Sequence, residues 1–145
     1  MPTLQSLLYI SDSLIDPTDA TSEASQIVAV AQIRNRELGI TGALICTDAH
    51  FAQVLEGSPV SIEQLMSSIY SDPRHANIVV INKSTIPNRL FPEWRMAYQG
   101  PSPFVSRHLA RLQQTLHPSA QRRAADWITD LAVEFSTVRK SRQPI

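Results

Sequence analysis

The sequence predicts an α+β sandwich, a single sheet covered by helices on both faces, and three observations predict it. Short apolar segments free of breakers alternate with two helical segments in the order β-α-β-β-α-β-β. The strand segments are apolar at successive positions and not at alternate ones, so both faces of the sheet need cover. Beyond Pro101 and Pro103 the chain turns helical again, with two amphipathic stripes that supply material for the second cover. A chain of 145 residues, 43% of them hydrophobic, is enough for one such domain with a short appendage.

The first strand is read over Gln5 to Ser11, where Leu7, Leu8, Tyr9 and Ile10 follow one another without interruption. Asp12 to Asp19, with Pro17, reads as a loop. Asp19, Thr21 and Ser22 then offer N-cap side chains to a helix ending at Leu38-Gly39, where glycine suits the left-handed position after the last turn. Thr41 to Thr47 and Phe51 to Glu56 read as a hairpin joined tightly around Asp48 and Ala49. Ser58-Pro59 opens a second helix, with Ile62, Leu65, Met66 and Ile69 on one buried face, and Asp72-Pro73 closes it. Asn77 to Ile86 is the fourth strand, and Trp94 to Tyr98, after Pro87 and Pro92, is a short fifth. This is the order of a ferredoxin-like sandwich with one added strand. The prediction is a five-stranded mixed sheet, with two helices on one face and C-terminal helices on the other. In the tail, Val105, Leu109, Leu112 and Leu116 form one stripe; Ala124, Ile128, Leu131, Phe135 and Val138 form another. Residues 3–98 are thus expected to form the domain and 99–145 a two-helix extension, with a partner chain as the alternative cover for the open face.

Composition removes several function classes. Lys+Arg and Asp+Glu both number 13, which leaves no footprint for nucleic acid or an anionic membrane. Arg139, Lys140 and Arg142 read as a solvated end. There is no apolar run of about 18 residues, and Met1 to Ser6 lack a signal peptide's order, so a cytoplasmic protein is expected. Cys46 is the single cysteine, which excludes an internal disulfide and a cysteine-based zinc cluster. His50, His75, His108 and His117 lack metal-ligand spacing, and neither a phosphate-binding glycine loop nor a nucleophile elbow occurs. Cys46 reads as core, and Glu56 as solvated or capping the second helix.

The informative residues are polar groups where burial is expected, because unpaired burial costs a few kcal/mol. Gln53 shares a strand face with Phe51 and Leu55, and Tyr9 lies between Leu7 and Ser11 on its own face. If the first and third strands are neighbours, phenol and amide meet on the face covered by the inter-strand helices. Asn35 falls on the first helix's stripe of Val28, Ala31 and Leu38, with Arg34 beside it on the edge running through Ile27. Two readings follow: these groups satisfy neighbouring backbone groups, or they converge on a polar, planar ligand with donors and acceptors.

Leu7-x-Tyr9-x-Ser11, Arg34-Asn35 with Leu38-Gly39-Ile40-Thr41-Gly42, and Phe51-x-Gln53-x-Leu55-Glu56-Gly57 resemble the BLUF domain, a FAD-binding blue-light sensor. Asp72-Pro73-Arg74-His75 and Phe91-Pro92-x-Trp94-x-Met96 continue the likeness across residues 3–98, and the tail resembles that of stand-alone single-domain members. The resemblance implies FAD held non-covalently between the two inter-strand helices, with FMN or riboflavin as possible substitutes. Asn35 would bond the ring's polar edge. Arg34, Arg74 and His75 would contact the ring edge or the ribityl-phosphate region, and Ile27, Phe51 and Ile69 would flank the ring. Tyr9 and Gln53 would be the photoactive pair, Tyr9 as electron and proton donor and Gln53 as relay. Trp94 and Met96 would occupy the strand whose placement varies in the family. It further implies a separate downstream effector protein and a homo-oligomer. The rivals are a flavin-dependent small enzyme, a hydrolase on the same sandwich, and a chromophore-free interaction module.

Overall fold

The computed structural model describes residues 3–16, 18, 20–100, 102–114 and 118–141. In chain order the elements are β1 (Leu4–Ser13), α1 (Ala20–Leu38), β2 (Thr41–Cys46), β3 (His50–Gly57), α2 (Pro59–Tyr70), β4 (His75–Ile86), β5 (Trp94–Gln99), α3 (Pro103–Gln113) and α4 (Pro118–Ser141). The strands lie in the order β4-β1-β3-β2-β5. All neighbours are antiparallel except β2 and β5, so the sheet is mixed, as expected.

Successive residues of the strands feed two separate cores. Leu7, Tyr9, Leu44, Phe51, Leu55, Trp94 and Met96 face the side where α2 packs on β1 and β3 and α1 packs on β5. Leu8, Ile10, Ala43, Ile45, Ala52 and Val54 face the side where α3 packs on β1, β3 and β4 and α4 on β5, β4 and β2. The doubly apolar strands are explained by this two-sided cover.

Several boundaries differ from the sequence reading, each for a tertiary reason. β1 runs on to Ser13 and β4 starts at His75, because Asp12 pairs with His50 and Ala76, and Ser13 pairs with His75. Asp and Asn are poor strand formers, and here pairing outweighs propensity. Asn77 takes a positive φ of 53° near a register shift and donates from Nδ2 to Asp12 Oδ2 at 2.6 Å. Thr21 and Ser22 lie within α1 and their side chains, like all of Pro17 and Asp19, lie outside the described residues. In α4 the buried line is Ala125, Ile128 and Ala132, with Leu131 at its edge. The small residues on either side of Ile128 let the helix backbone approach the sheet. The side chains of Ala124, Phe135 and Val138, and all of Leu116, lie outside the described residues. No described helix is long and apolar enough to cross a membrane.

The end of α1 is built as expected. Gly39 has φ 69°, its N–H bonds Arg36 O at 3.1 Å, and the Ile40 N–H bonds Asn35 O at 2.8 Å. That is the pair of bonds of a Schellman ending. α2 begins with Ser58 accepting from the Ser61 N–H and Pro59 in its first turn, and buries Ile62, Leu65, Met66 and Ile69. Gly42 is the stricter glycine: at φ 150° an added Cβ would stand 1.9 Å from Val54 O, whereas one at Gly39 would meet nothing within 4 Å. Gly42→Ala is therefore expected to cost at least about 3 kcal/mol and Gly39→Ala only about 1. Urea unfolding midpoints of the two variants check this; equal losses would contradict it.

Candidate functional site

β1 and β3 pair so that Tyr9 stands directly opposite Gln53. β2 pairs Leu44 with Gln53 on one side and Gly42 with Trp94 on the other, which brings the first residue of β5 diagonally toward the same amide. Gln53 Nε2 donates to Tyr9 Oη at 2.6 Å, and Trp94 Nε1 donates to Gln53 Oε1 at 2.8 Å. The indole N–H can only donate, so the amide oxygen must face Trp94 and the amide nitrogen Tyr9. The chain of bonds thereby fixes one orientation of Gln53.

Above this chain, between α1 and α2, opens a cleft with about 560 Å³ of space not filled by protein atoms, part of it open to solvent. Every side chain singled out from the sequence for a ligand lines it: Tyr9, Ile27, Arg34, Asn35, Phe51, Gln53, Ile69, Arg74 and His75. Trp94 lines it as well; Met96 is buried in the same core but is not among the lining residues.

The polar groups of the cleft divide into satisfied and unsatisfied. Among the described residues, three buried side-chain polar atoms have no hydrogen-bond partner: Arg34 Nε, Asn35 Oδ1 and, away from the cleft, His50 Nδ1. Asn35 is 1% exposed, so its orphaned oxygen is costly unless a ligand donor meets it. A donor and an acceptor on adjacent residues fit the alternating donors and acceptors of a flavin's polar edge. Arg74, by contrast, is committed to Asp72, donating from Nη2 to Oδ2 at 2.6 Å and from Nε to Oδ1 at 2.9 Å. That bond is the main reason the Asp72 carboxyl lies below its ordinary pKa. His75 has both ring nitrogens engaged: Nε2 must donate to Ile69 O at 2.9 Å, and Nδ1 meets Ser11 Oγ at 2.9 Å. Its ring stands edge-on to Phe51, with centroids 5.6 Å apart. His75 thus shapes the wall and ties β1 to the end of α2.

Burial pushes the Tyr9 phenol far above its ordinary value near 10, more than the Gln53 bond pulls it down. Tyr9 is therefore fully protonated at neutral pH. Its oxygen accepts from Gln53, so its own O–H is left to point elsewhere.

Sequence reading missed Asp72, Leu44, Leu65, Ala31 and Val30 as lining residues. In the sequence Asp72 closes the second helix and stands in the Asp72-Pro73-Arg74-His75 motif; the Asp72-x-Arg74 spacing, which suits a carboxylate folding back on an arginine, is the signal for its place in the wall. Glu56 was misread. It has no exposed surface and neither meets solvent nor caps α2; its oxygens accept from Leu90 N, Phe91 N and Thr41 Oγ1. Among the described residues no group of three or more His, Cys, Asp or Glu is placed to hold a metal ion.

Residues 4–97 match the family described as BLUF, sensors of blue-light using FAD. The chain belongs to the BLUF family. It is 33% identical over 94 residues to the photoactivated adenylate cyclase subunit beta of Euglena gracilis, an alignment covering 64% of this BLUF chain and 11% of that relative. This chain therefore spans about a tenth of the length of that curated relative. Among solved structures it resembles BlrB, a BLUF protein in its dark state, at TM-score 0.65 and 32% identity, covering 97% of this chain and 98% of that one. It also resembles the photo-activated state of BlsA at TM-score 0.72 and 22% identity, over 90% and 94% of the two chains, a likeness of fold alone. This BLUF chain is thus a member of a blue-light-sensing flavoprotein family, with a ferredoxin-like sheet.

Proposed function

We propose that this chain is a blue-light photoreceptor that holds FAD non-covalently in the cleft between α1 and α2, with FMN or riboflavin as substitutes. The observation that carries the reading is the bond chain Trp94–Gln53–Tyr9 at the floor of a cleft whose rim leaves Arg34 Nε and Asn35 Oδ1 unmatched. Arg34 and Asn35 hold the ring's polar edge, while Ile27, Phe51 and Ile69 flank it. Arg74, its charge already balanced by Asp72, and His75 line the end toward the ribityl chain.

When bound, the flavin supplies blue-light absorption and, once excited, the oxidising power to draw an electron from a nearby phenol. Tyr9 is the one phenol among the described residues lining the cleft. It releases an electron and then its proton, and both return to Tyr9, so no net chemistry results; Gln53, which presents its NH₂ to the phenol in the dark, relays that proton only once the amide has turned its oxygen toward Tyr9. The lasting change is at Gln53. With the amide turned over, its oxygen faces Tyr9 and accepts the phenol O–H, and its NH₂ meets the indole N–H of Trp94. Two donors cannot bond, so the Trp94 bond is given up. An amide hydrogen is also freed for a chromophore carbonyl; such a bond stabilises the excited state more than the ground state and shifts absorption to the red. The dark state then returns thermally.

Light sensing is favoured over turnover. Asp72 is the one carboxylate lining the cleft among the described residues, and it is tied to Arg74, so no free acid or base is offered to a second substrate. The output is read by a separate effector protein, with self-association of the chain; exposed Phe104 on α3 and Val133 on α4 supply apolar contact. Tyr9→Phe is expected to bind flavin and lose the red-shifted state altogether. Absorption of the purified variant before and after blue light decides it, and a normal light state there would remove Tyr9 from the role of donor. NAD(P)H oxidation in the dark by the flavin-loaded protein would favour the enzyme reading instead.

A further inference from the structure

The segment from Arg89 to Trp94 crosses the edge of the sheet. Trp94 points into the chromophore-side core and bonds Gln53. Three residues earlier, Phe91 is 3% exposed and belongs to the opposite core, with Val105 and Leu109 of α3 and Ala125 and Ile128 of α4. One short stretch of chain therefore touches both the photoactive amide and the packing of the C-terminal helices.

The anchor of that stretch is Glu56. Its side chain is fully buried and, among the described residues, makes no ion pair. It is held by hydrogen bonds: Oε2 accepts from the Leu90 N–H at 2.8 Å, and Oε1 accepts from the Phe91 N–H at 3.0 Å and from Thr41 Oγ1 at 3.2 Å. A buried carboxyl is costly, and a carboxyl on a strand in an apolar core is unexplained by packing. Arg89 adds a second clamp, donating to Thr41 Oγ1 at 2.8 Å, Glu56 O at 2.8 Å and Gly39 O at 2.9 Å. The Gly42 N–H holds Glu93 O at 3.2 Å just before the tryptophan. Residues 89–91 are thus fixed to the ends of α1, β2 and β3, and a displacement of Trp94 has a rigid point to turn about.

We propose that Glu56 is a positioning residue: its carboxyl pins the backbone at Leu90 and Phe91, so that loss of the Trp94–Gln53 bond is delivered through Phe91 to α3 and α4 and is not absorbed by the loop. This rests on the light-sensing reading given above. It assigns no contact between Glu56 and the chromophore; its effect travels along the chain from Trp94 to Phe91.

The test is hydrogen exchange by mass spectrometry on the flavin-loaded full chain, in the dark and under blue light, for wild type, Glu56→Gln and Phe91→Leu. Glu56→Gln keeps the size but turns an NH₂ toward one of the backbone N–H groups; Phe91→Leu keeps the loop anchor and shortens the lever. Both variants are expected to show the wild-type red shift and a wild-type light-induced change in β5. The light-minus-dark exchange difference in α3 and α4 is expected to fall about fivefold, the factor one net hydrogen bond is worth. If either folded variant keeps the red shift and the full α3 and α4 difference, the latch is overturned. Absence of any red shift in wild type would overturn the light-sensing reading, and the latch with it. A general loss of packing would instead raise dark exchange throughout α1 and α2 and abolish flavin binding, and that outcome also counts against a positioning role.

Discussion

Replacing Gln53 with leucine is expected to leave flavin bound and to abolish the light-induced red shift. Gln53 makes two side-chain bonds, one to each neighbour, and leucine makes neither. The groups proposed to hold the ring, Arg34 and Asn35, lie on α1 and are untouched by the change, so binding should persist. What disappears is the element with two orientations. In the substituted protein no amide can turn over, and the phenol and indole have no shared partner through which to communicate. The stability cost comes from Trp94, whose indole N–H would be left buried and unpaired. That costs about 1–3 kcal/mol, so a drop of several degrees in melting temperature is expected alongside the lost red shift. Absorption spectra before and after illumination, with flavin content measured on the same sample, check the prediction. A variant that retained the shift would remove Gln53 from the relay.

Asn35→Ala should act in the opposite way, on the ligand and not on the empty protein. Asn35 Oδ1 is buried without a partner, so removing it takes away an unsatisfied acceptor. Alanine is also the better helix former by roughly 0.5 kcal/mol. The helix ending depends on the Asn35 backbone carbonyl, which stays. The melting temperature of flavin-free protein should therefore be nearly unchanged, while flavin affinity falls about tenfold or more, the loss of one buried hydrogen bond. Titration of apo-protein with flavin and a thermal melt of the same apo-protein separate the two effects. A large fall in apo stability with unchanged affinity would assign Asn35 to the fold.

Much of this site was legible in the sequence because it breaks the sequence's own pattern. Tyr9 and Gln53 stand at positions of a two-sided apolar sheet where nothing in packing requires a phenol or an amide, and Asn35 interrupts a helical stripe. The pairing of β1 with β3 follows from the order of elements, and it places Tyr9 opposite Gln53. What sequence reasoning could not supply depends on tertiary placement. The fate of Glu56 turns on a loop some 34 residues away folding back to give it two N–H groups. The engagement of Arg74 by Asp72, and of His75 by Ser11 and Ile69, is likewise visible only once β4 is placed. The line of small residues in α4 gave a weaker periodic signal than the leucine and isoleucine beside it, so the predicted stripe was centred one residue off. The choice between Trp94 and Met96 also needed the register of β5 against β2, which puts the indole within reach of the amide.

Light is expected to reset the hydrogen bonds of Gln53 around a bound flavin without net chemistry. The most direct measurement is a light-minus-dark absorption spectrum of the purified, flavin-loaded protein, followed through its recovery in the dark. A flavin band displaced to longer wavelength under blue light, and returning to its starting position on its own, is the expected result. A protein that binds flavin but shows an unchanged spectrum after illumination, or one whose flavin is permanently reduced, would contradict it.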